Sequence, residues 1–465
     1  MKFLIVLVAV IYHYQSVDCL NAIDYLNEKL NDLSKEVVKA YNHVTVSIKN
    51  IFTRRNYEDE KEIEKYILEE KIKQSFNDFV EKSGSCTQHP DYLSFRSEPT
   101  ALMSTPQLAT LHGRRIESHI IKTKDNYLLT LHRVFNGSSI PDRTVILHHG
   151  LMGSSADWIM LGPTKSLPYI LSDAGYDVWM CNARGNYYSR GHLLERVNSS
   201  RYWKFSFQEM GEYDLPAVIN YVKKFKPIDE KINFIGHSMG TSALLVMLST
   251  QPRYNEFLRM GILLAPLAFM SNAQGPIKML TTMANRPPNS LLKVIGDTEY
   301  LPSRKMPKMM ASKFCTGPKL FCGNPLLFLA GGIREDDSLE ESFLARLLYH
   351  VPAGASTNTI LHYGQLAQNG KFHRFGDSSA EFHLHNVRLP IVLVTSTEDW
   401  LATVPDVMRL YFNIVNPIDH YVIRGKNLTH TEFVWGADAD VTVFSKVLEL
   451  LVRGTNRKSL KENEV

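Results

Sequence analysis

Three things are in short supply in this chain, and each shortage removes a class of protein. Cysteine is scarce: Cys19, Cys86, Cys181, Cys315 and Cys322 are too few among 465 residues to form a disulfide scaffold. Excess charge is small, +4 from 52 basic and 48 acidic residues, and no basic block suggests a nucleic-acid partner. Long apolar runs are missing too. No segment after the N-terminus reaches the roughly 20 apolar residues of a membrane-spanning helix.

What remains is an ordinary globular composition, 44% hydrophobic and 22% charged. At 465 residues the chain has room for one large α/β domain with insertions, or two to three small domains. Met1-Lys2 and the apolar run 3–11 are too short to span a bilayer and fit a secretory signal. We take residues 1–19 as that signal, cut between Ser16 and Asn21, so the mature chain is expected to be exported and soluble. Three sequons agree with export, at Asn136, Asn198 and Asn427. Cys315 and Cys322, seven apart in an expected loop, are the candidates for one bridge in an oxidising compartment.

Residues 20–100 read as a helical extension. Ile23, Leu26, Leu30, Leu33, Val37 and Ala40 follow a three-four spacing, and Ile63 to Val80 form a second helical run. A hairpin laid on the main domain and a propeptide released at Arg54-Arg55 both stay open. From about residue 116 strands take over, first as an antiparallel hairpin, 116–121 and 127–135. Strands at 144–148, 176–180, 232–235 and 261–265 then alternate with helices at 167–174 and 213–225. That rhythm predicts a mostly parallel, doubly wound sheet over 101–266, resuming over 386–455 with strands at 389–395 and 420–424 and a closing helix at 440–452. Between them, 267–385 is rich in Pro, Gly and Met and reads as a cap inserted over the carboxyl edge of the sheet.

The chemistry centres on Gly236-His-Ser-Met-Gly240, set between a strand and a long apolar helix. A serine between two glycines there is the nucleophile-elbow pattern: the turn strains the serine backbone and lifts its hydroxyl clear of the sheet. The bare pattern arises by chance in roughly one chain of this length in ten, so its neighbours must decide. An activated serine needs a base, and the base needs an orienting acid, gathered beyond the carboxyl ends of the strands. His237 adjoins Ser238 and is expected to point away from it, while His420, opening the last strand, would sit at the wrong edge. His430, in a polar loop at the right edge, is the expected base. Asp399 is the expected acid, with its neighbour Glu398 as the fallback. The order Ser238, Asp399, His430 is the chain order of an α/β-hydrolase. Two backbone donors should bind the oxyanion: Met239 N–H, after the nucleophile, and Leu151 N–H, in the loop that Gly150 allows to approach closely. Nothing in this scheme requires a cofactor or a metal.

Longer stretches carry a resemblance. His149-Gly-Leu-Met-Gly-Ser-Ser-Ala-Asp-Trp158, the run 173–186 ending in Asn182-Ala-Arg-Gly-Asn186, Tyr213-Asp-Leu-Pro-Ala217 and Gly236-His-Ser-Met-Gly240 resemble the acid lipase family, the group of lysosomal acid lipase and gastric lipase. So do Pro352-Ala-Gly-Ala-Ser356, His362-Tyr-Gly-Gln365 and Glu398-Asp-Trp-Leu401; together they cover about residues 105 to 450. The resemblance implies an α/β-hydrolase fold and ester hydrolysis of neutral lipids at a lipid–water interface, in a secreted or lysosomal setting. It also implies Ser238, Asp399 and His430 as triad, Leu151 and Met239 as oxyanion donors, 267–385 as cap and lid, and a cap disulfide Cys315–Cys322 at shorter spacing. Three features depart from the family pattern: residues 20–100 have no counterpart, Glu432 stands where the family usually has Asp, and the connection 375–389 is shortened. Two competing functions remain, a lipid carrier on a lipase scaffold and a short-ester esterase. The intact set of reactive groups opposes the first, and the large Met-rich cap opposes the second.

Overall fold

Apolar runs without alternation, such as 145–147 and 391–394, belong to strands buried on both faces, and such strands need neighbours on each side and helices above and below. The structure, a computed structural model, describes residues 103–135, 141, 143–274, 298–300, 341–425 and 428–462. Every described residue lies in one unit, 93–465. The signal segment, the extension 20–100, Cys315, Cys322, Asn136 and Asn427 lie outside the described residues. Asn198 is exposed in a turn.

The unit opens with helix α1 (Thr105–Leu111), capped by Ser104 and Gln107. Strands β1 (Ile116–Lys122) and β2 (Tyr127–Val134) form the expected hairpin, pairing Ile116 with Val134 and Lys122 with Leu128. Its turn closes through Thr123 N–H to Tyr127 O at 2.9 Å, with Asn126 at φ 74°. Then come β3 (Arg143–His148), α2 (Leu167–Asp173), β4 (Tyr176–Met180) and the short β5 (Gly191–His192). Next are α3 (Leu215–Val222), β6 (Ile232–His237), α4 (Met239–Thr250) and β7 (Leu258–Leu264). After β8 (Glu299–Tyr300) follow α5 (Glu341–His350), β9 (Ala355–Ser356), α6 (Thr357–Asn369), β10 (His373–Arg374) and β11 (Asp377–Glu381). The chain returns to the sheet with β12 (Ile391–Ser396), α7 (Val404–Asn413) and β13 (Pro417–Ile423), then ends in α8 (Ser445–Glu462).

The main sheet runs β1-β2-β4-β3-β6-β7-β12-β13, with β5 on β2. From β4 to β13 every pair is parallel, and β1 and β2 are antiparallel. The carboxyl ends of β3, β6 and β12 therefore open on one edge, where the site assembles. Helix α4 is buried at every position but Thr250, which makes it the centre of the core behind that edge.

Three expectations shift. The helix expected from residue 213 begins at Phe207, because a π turn, Met210–Asp214, joins a short helical turn to α3. His420 lies in the middle of β13, not at its start, with Nε2 2.8 Å from Thr395 Oγ1. β13 starts earlier because proline is tolerated at the first residue of an edge strand. The segment expected as a cap from 267 begins inside the core: Leu267, Ala268, Phe269, Met270 and Ala273 are buried there. Farther on, Glu299 forms a two-pronged ion pair with Arg190, at 2.7 and 2.8 Å, and β8 pairs with β9.

Candidate active site

Strand β6 ends at His237 and α4 begins at Met239, so Ser238 alone makes the turn. It does so at φ 51°, ψ −115°, a conformation that costs an L-residue free energy of about 1–3 kcal/mol. A side chain at Gly240 would bring its Cβ to 2.5 Å from His148 O, so the turn closes only with glycine there. Ser238 N–H donates to Leu264 O at 3.0 Å, which fixes the serine over the sheet edge.

His430 Nε2 lies 2.7 Å from Ser238 Oγ, and His430 Nδ1 lies 2.9 Å from Asp399 Oδ2. These three side chains, expected from sequence to act together, form one continuous hydrogen-bonded chain, and all three are buried. Asp399 is buried and reaches His430, while Glu398 is exposed. Burial pushes the Asp399 pKa up, but the His430 charge and hydrogen bond, with the N–H groups of Ala402 and Leu401, outweigh it and hold the carboxyl below its ordinary value. Asp399 therefore stays ionised at pH 5 as well as at pH 7. Glu432, the departure beside the base, accepts from Thr429 N–H at 2.6 Å and braces the turn that carries His430. His237 turns from the serine hydroxyl, as expected, but not to solvent. Its Nε2 is 2.9 Å from the backbone oxygen of His430, and burial followed by the His430 charge lowers its pKa to about 3. A neutral His237 thus ties the elbow to the base turn.

The loop 149–158 stands against the same serine. A Cβ on Gly150 would lie 3.3 Å from Ser238 Cβ and 3.0 Å from His237 Nδ1, so glycine is what lets this loop come so near the serine. Met239 contributes the first N–H of α4, and first-turn N–H groups have no partner within their own helix. Downstream in the loop, Asp157 is buried, with Oδ1 accepting from Ser154 N–H at 3.2 Å, and desolvation raises its pKa to about 7. Sequence reasoning missed this group, since nothing in a loop aspartate signals burial. Between the unfolded value near 3.8 and about 7, the folded state holds a proton that the unfolded chain lacks. Stability from this group accordingly falls as pH rises from about 4 to about 7. Asp157→Asn should raise Tm at pH 7.5 and give a clearly smaller gain at pH 4.5, read by thermal unfolding at the two pH values. Equal shifts would contradict it.

Three further buried groupings escaped the sequence reading. Arg184 bonds Asp214 through Nε at 2.9 Å and Asp125 through Nη1 at 2.6 Å, and lies 4.0 Å over the Tyr127 ring. Arg133, on β2, holds Asp177, on β4, at 2.8 and 2.9 Å. His362, in the His-Tyr-Gly-Gln stretch, stacks on Phe207 with ring centroids 4.0 Å apart. Among the described residues no cluster of His, Cys, Asp and Glu could hold a metal ion.

Fold and site together define the class: an α/β-hydrolase. A family model described as alpha/beta hydrolase fold matches residues 143–424. One described as partial alpha/beta-hydrolase lipase region matches residues 105–162. The chain is 35% identical to Lipase 3 of Drosophila melanogaster, over 72% of this chain and 90% of that one. It is 34% identical to lysosomal acid lipase/cholesteryl ester hydrolase of Homo sapiens, over 76% and 92%. With gastric triacylglycerol lipase of Rattus norvegicus the identity is 32%, over 76% and 92%. The chain belongs to the acid lipase family of the α/β-hydrolases, and it is a carboxylic ester hydrolase.

Proposed function

We propose that this protein is a lipase that cleaves neutral-lipid esters, triacylglycerols, sterol esters or both, through an acyl-enzyme on Ser238. The unbroken chain from Ser238 Oγ through His430 to Asp399, at 2.7 and 2.9 Å, is the observation that carries the reading. Ser238 Oγ attacks the ester carbonyl as His430 Nε2 takes its proton, and Asp399 holds the ring with Nδ1–H toward it. The N–H groups of Leu151 and Met239 receive the oxyanion, each contributing about 3 kcal/mol to the transition state. Collapse breaks the bond to the alcohol oxygen, which leaves with the proton from His430. Water, deprotonated by the same ring, then frees the acid from Ser238.

The segment 267–385, past its core-packed start at 267–273, acts as cap and lid, giving the acyl chain a dry surface worth about 0.8 kcal/mol per buried methylene. Residues 1–19 direct export, to the outside of the cell or to the lysosomal lumen. The sequons at Asn136, Asn198 and Asn427 and the pair Cys315–Cys322 fit such a compartment, and the exposure of Asn198 supports glycan attachment there. The test is hydrolysis of esters of graded acyl length at pH 5 and pH 7. A lipase gains activity with long-chain emulsified esters. Activity confined to short soluble esters would replace this reading with that of an esterase, and lipid binding without turnover would replace it with that of a carrier.

A further inference from the structure

His149 is buried beside the loop that approaches Ser238, and its two ring nitrogens face different partners. Nε2 lies 3.0 Å from the N–H of Ala183 and 3.2 Å from Nδ2 of Asn186. The amide of Asn186 is oriented by its own oxygen, which accepts from the N–H groups of Tyr188 and Ser189 at 3.0 and 3.1 Å. Both groups on Nε2 are therefore donors, and Nε2 must be bare. The ring proton sits on Nδ1, 2.7 Å from the carbonyl oxygen of Gly150. Burial is the largest cause that lowers the pKa of His149 to about 3, against the opposing hydrogen bond to the Gly150 carbonyl, in keeping with a neutral ring.

The Gly150 carbonyl belongs to the same planar unit as the Leu151 N–H. In a trans peptide the two groups point in opposite directions, so whatever aims one aims the other. The carbonyl is gripped by His149 Nδ1–H and, at 3.2 Å, by Gly153 N–H. We infer that His149 is a positioning residue, a neutral Nδ1–H imidazole that aims the Leu151 N–H at the oxyanion. This inference rests on the reading of Leu151 as oxyanion donor. The Asn182-Ala-Arg-Gly-Asn186 stretch thus supplies the donors that set the tautomer of His149.

Asparagine and glutamine separate the two ends of the ring, because an Asn side-chain nitrogen reaches the place of Nδ1 and a Gln oxygen reaches the place of Nε2. His149→Asn keeps a donor for Gly150 O, whereas His149→Gln keeps an acceptor for Ala183 N–H. With a soluble short-chain ester, kcat should fall about 100-fold in His149→Gln, the scale of losing an oxyanion donor, and less than about 10-fold in His149→Asn. KM should stay within about threefold in both. Equal losses, or a greater loss in His149→Asn, would overturn the inference in favour of a role confined to bracing 183–186. A wild-type protein that hydrolyses no ester would instead overturn the functional reading beneath it. If neither variant folds, long-range 1H–15N correlation on histidine-labelled wild-type protein decides. An Nδ1–H tautomer for His149, assigned through the perturbation caused by Asn186→Ala, supports the inference; an Nε2–H or doubly protonated ring at pH 5 refutes it.

Discussion

Asp399→Asn is expected to lower kcat about 10⁴-fold with little change in KM, the scale set by losing the orienting acid of a serine triad. The local hydrogen bonds explain why a nearly isosteric change should be so costly. Asp399 Oδ1 accepts from Leu401 N–H at 2.8 Å and from Ala402 N–H at 2.9 Å. Those donors would hold the amide oxygen of an asparagine in the same place. Its NH2 group would then replace Oδ2, 2.9 Å from His430 Nδ1. An amide donor at that position demands a bare Nδ1 and moves the ring proton to Nε2. With Nε2 protonated, His430 cannot accept the Ser238 proton. Glu398→Gln, by contrast, should leave kcat within about twofold, because Glu398 is exposed beside the buried acid. Steady-state kinetics on the two variants checks both halves.

The largest expected loss of stability is at Arg184. Its guanidinium is buried between Asp214 and Asp125, and Asp214 is itself buried. Burial raises the Asp214 pKa to about 6 even though the Arg184 charge and hydrogen bonds oppose it, so little else compensates that carboxylate. Arg184→Met should destabilise the fold by about 3–5 kcal/mol, the cost of stranding a buried charge rather than the net worth of the pair. Adding Asp214→Asn should recover much of the loss, since the stranded charge is then gone. Denaturant unfolding of the single and double variants at pH 7.5 gives the result. A single variant as stable as wild type would mean that water reaches Asp214.

Much of the fold and of the site is legible in the sequence. Gly236 and Gly240 marked the turn at Ser238 because a close-packed elbow leaves no space for a side chain, and the strand–helix alternation told which sheet edge to search. That edge selected His430 over sixteen other histidines. What stayed hidden depended on partners distant in the chain. Glu398 and Asp399 are chemically alike, and only burial separates them. The tautomer of His149 is set by Ala183 and Asn186, more than thirty residues away. The true start of the helix before β6 was masked by the π turn at Met210–Asp214, which breaks the 3.6-residue period. His420 was misplaced along β13 because an exposed edge strand carries polar residues without clear alternation.

Covalent capture identifies the nucleophile, which should be Ser238. The full-length protein, treated with a fluorophosphonate and digested, should yield a single phosphonylated peptide with the adduct on Ser238, while Ser238→Ala should lose both adduct and ester hydrolysis. An adduct on another residue, or a folded Ser238→Ala protein that still hydrolyses esters at the wild-type rate, would contradict it.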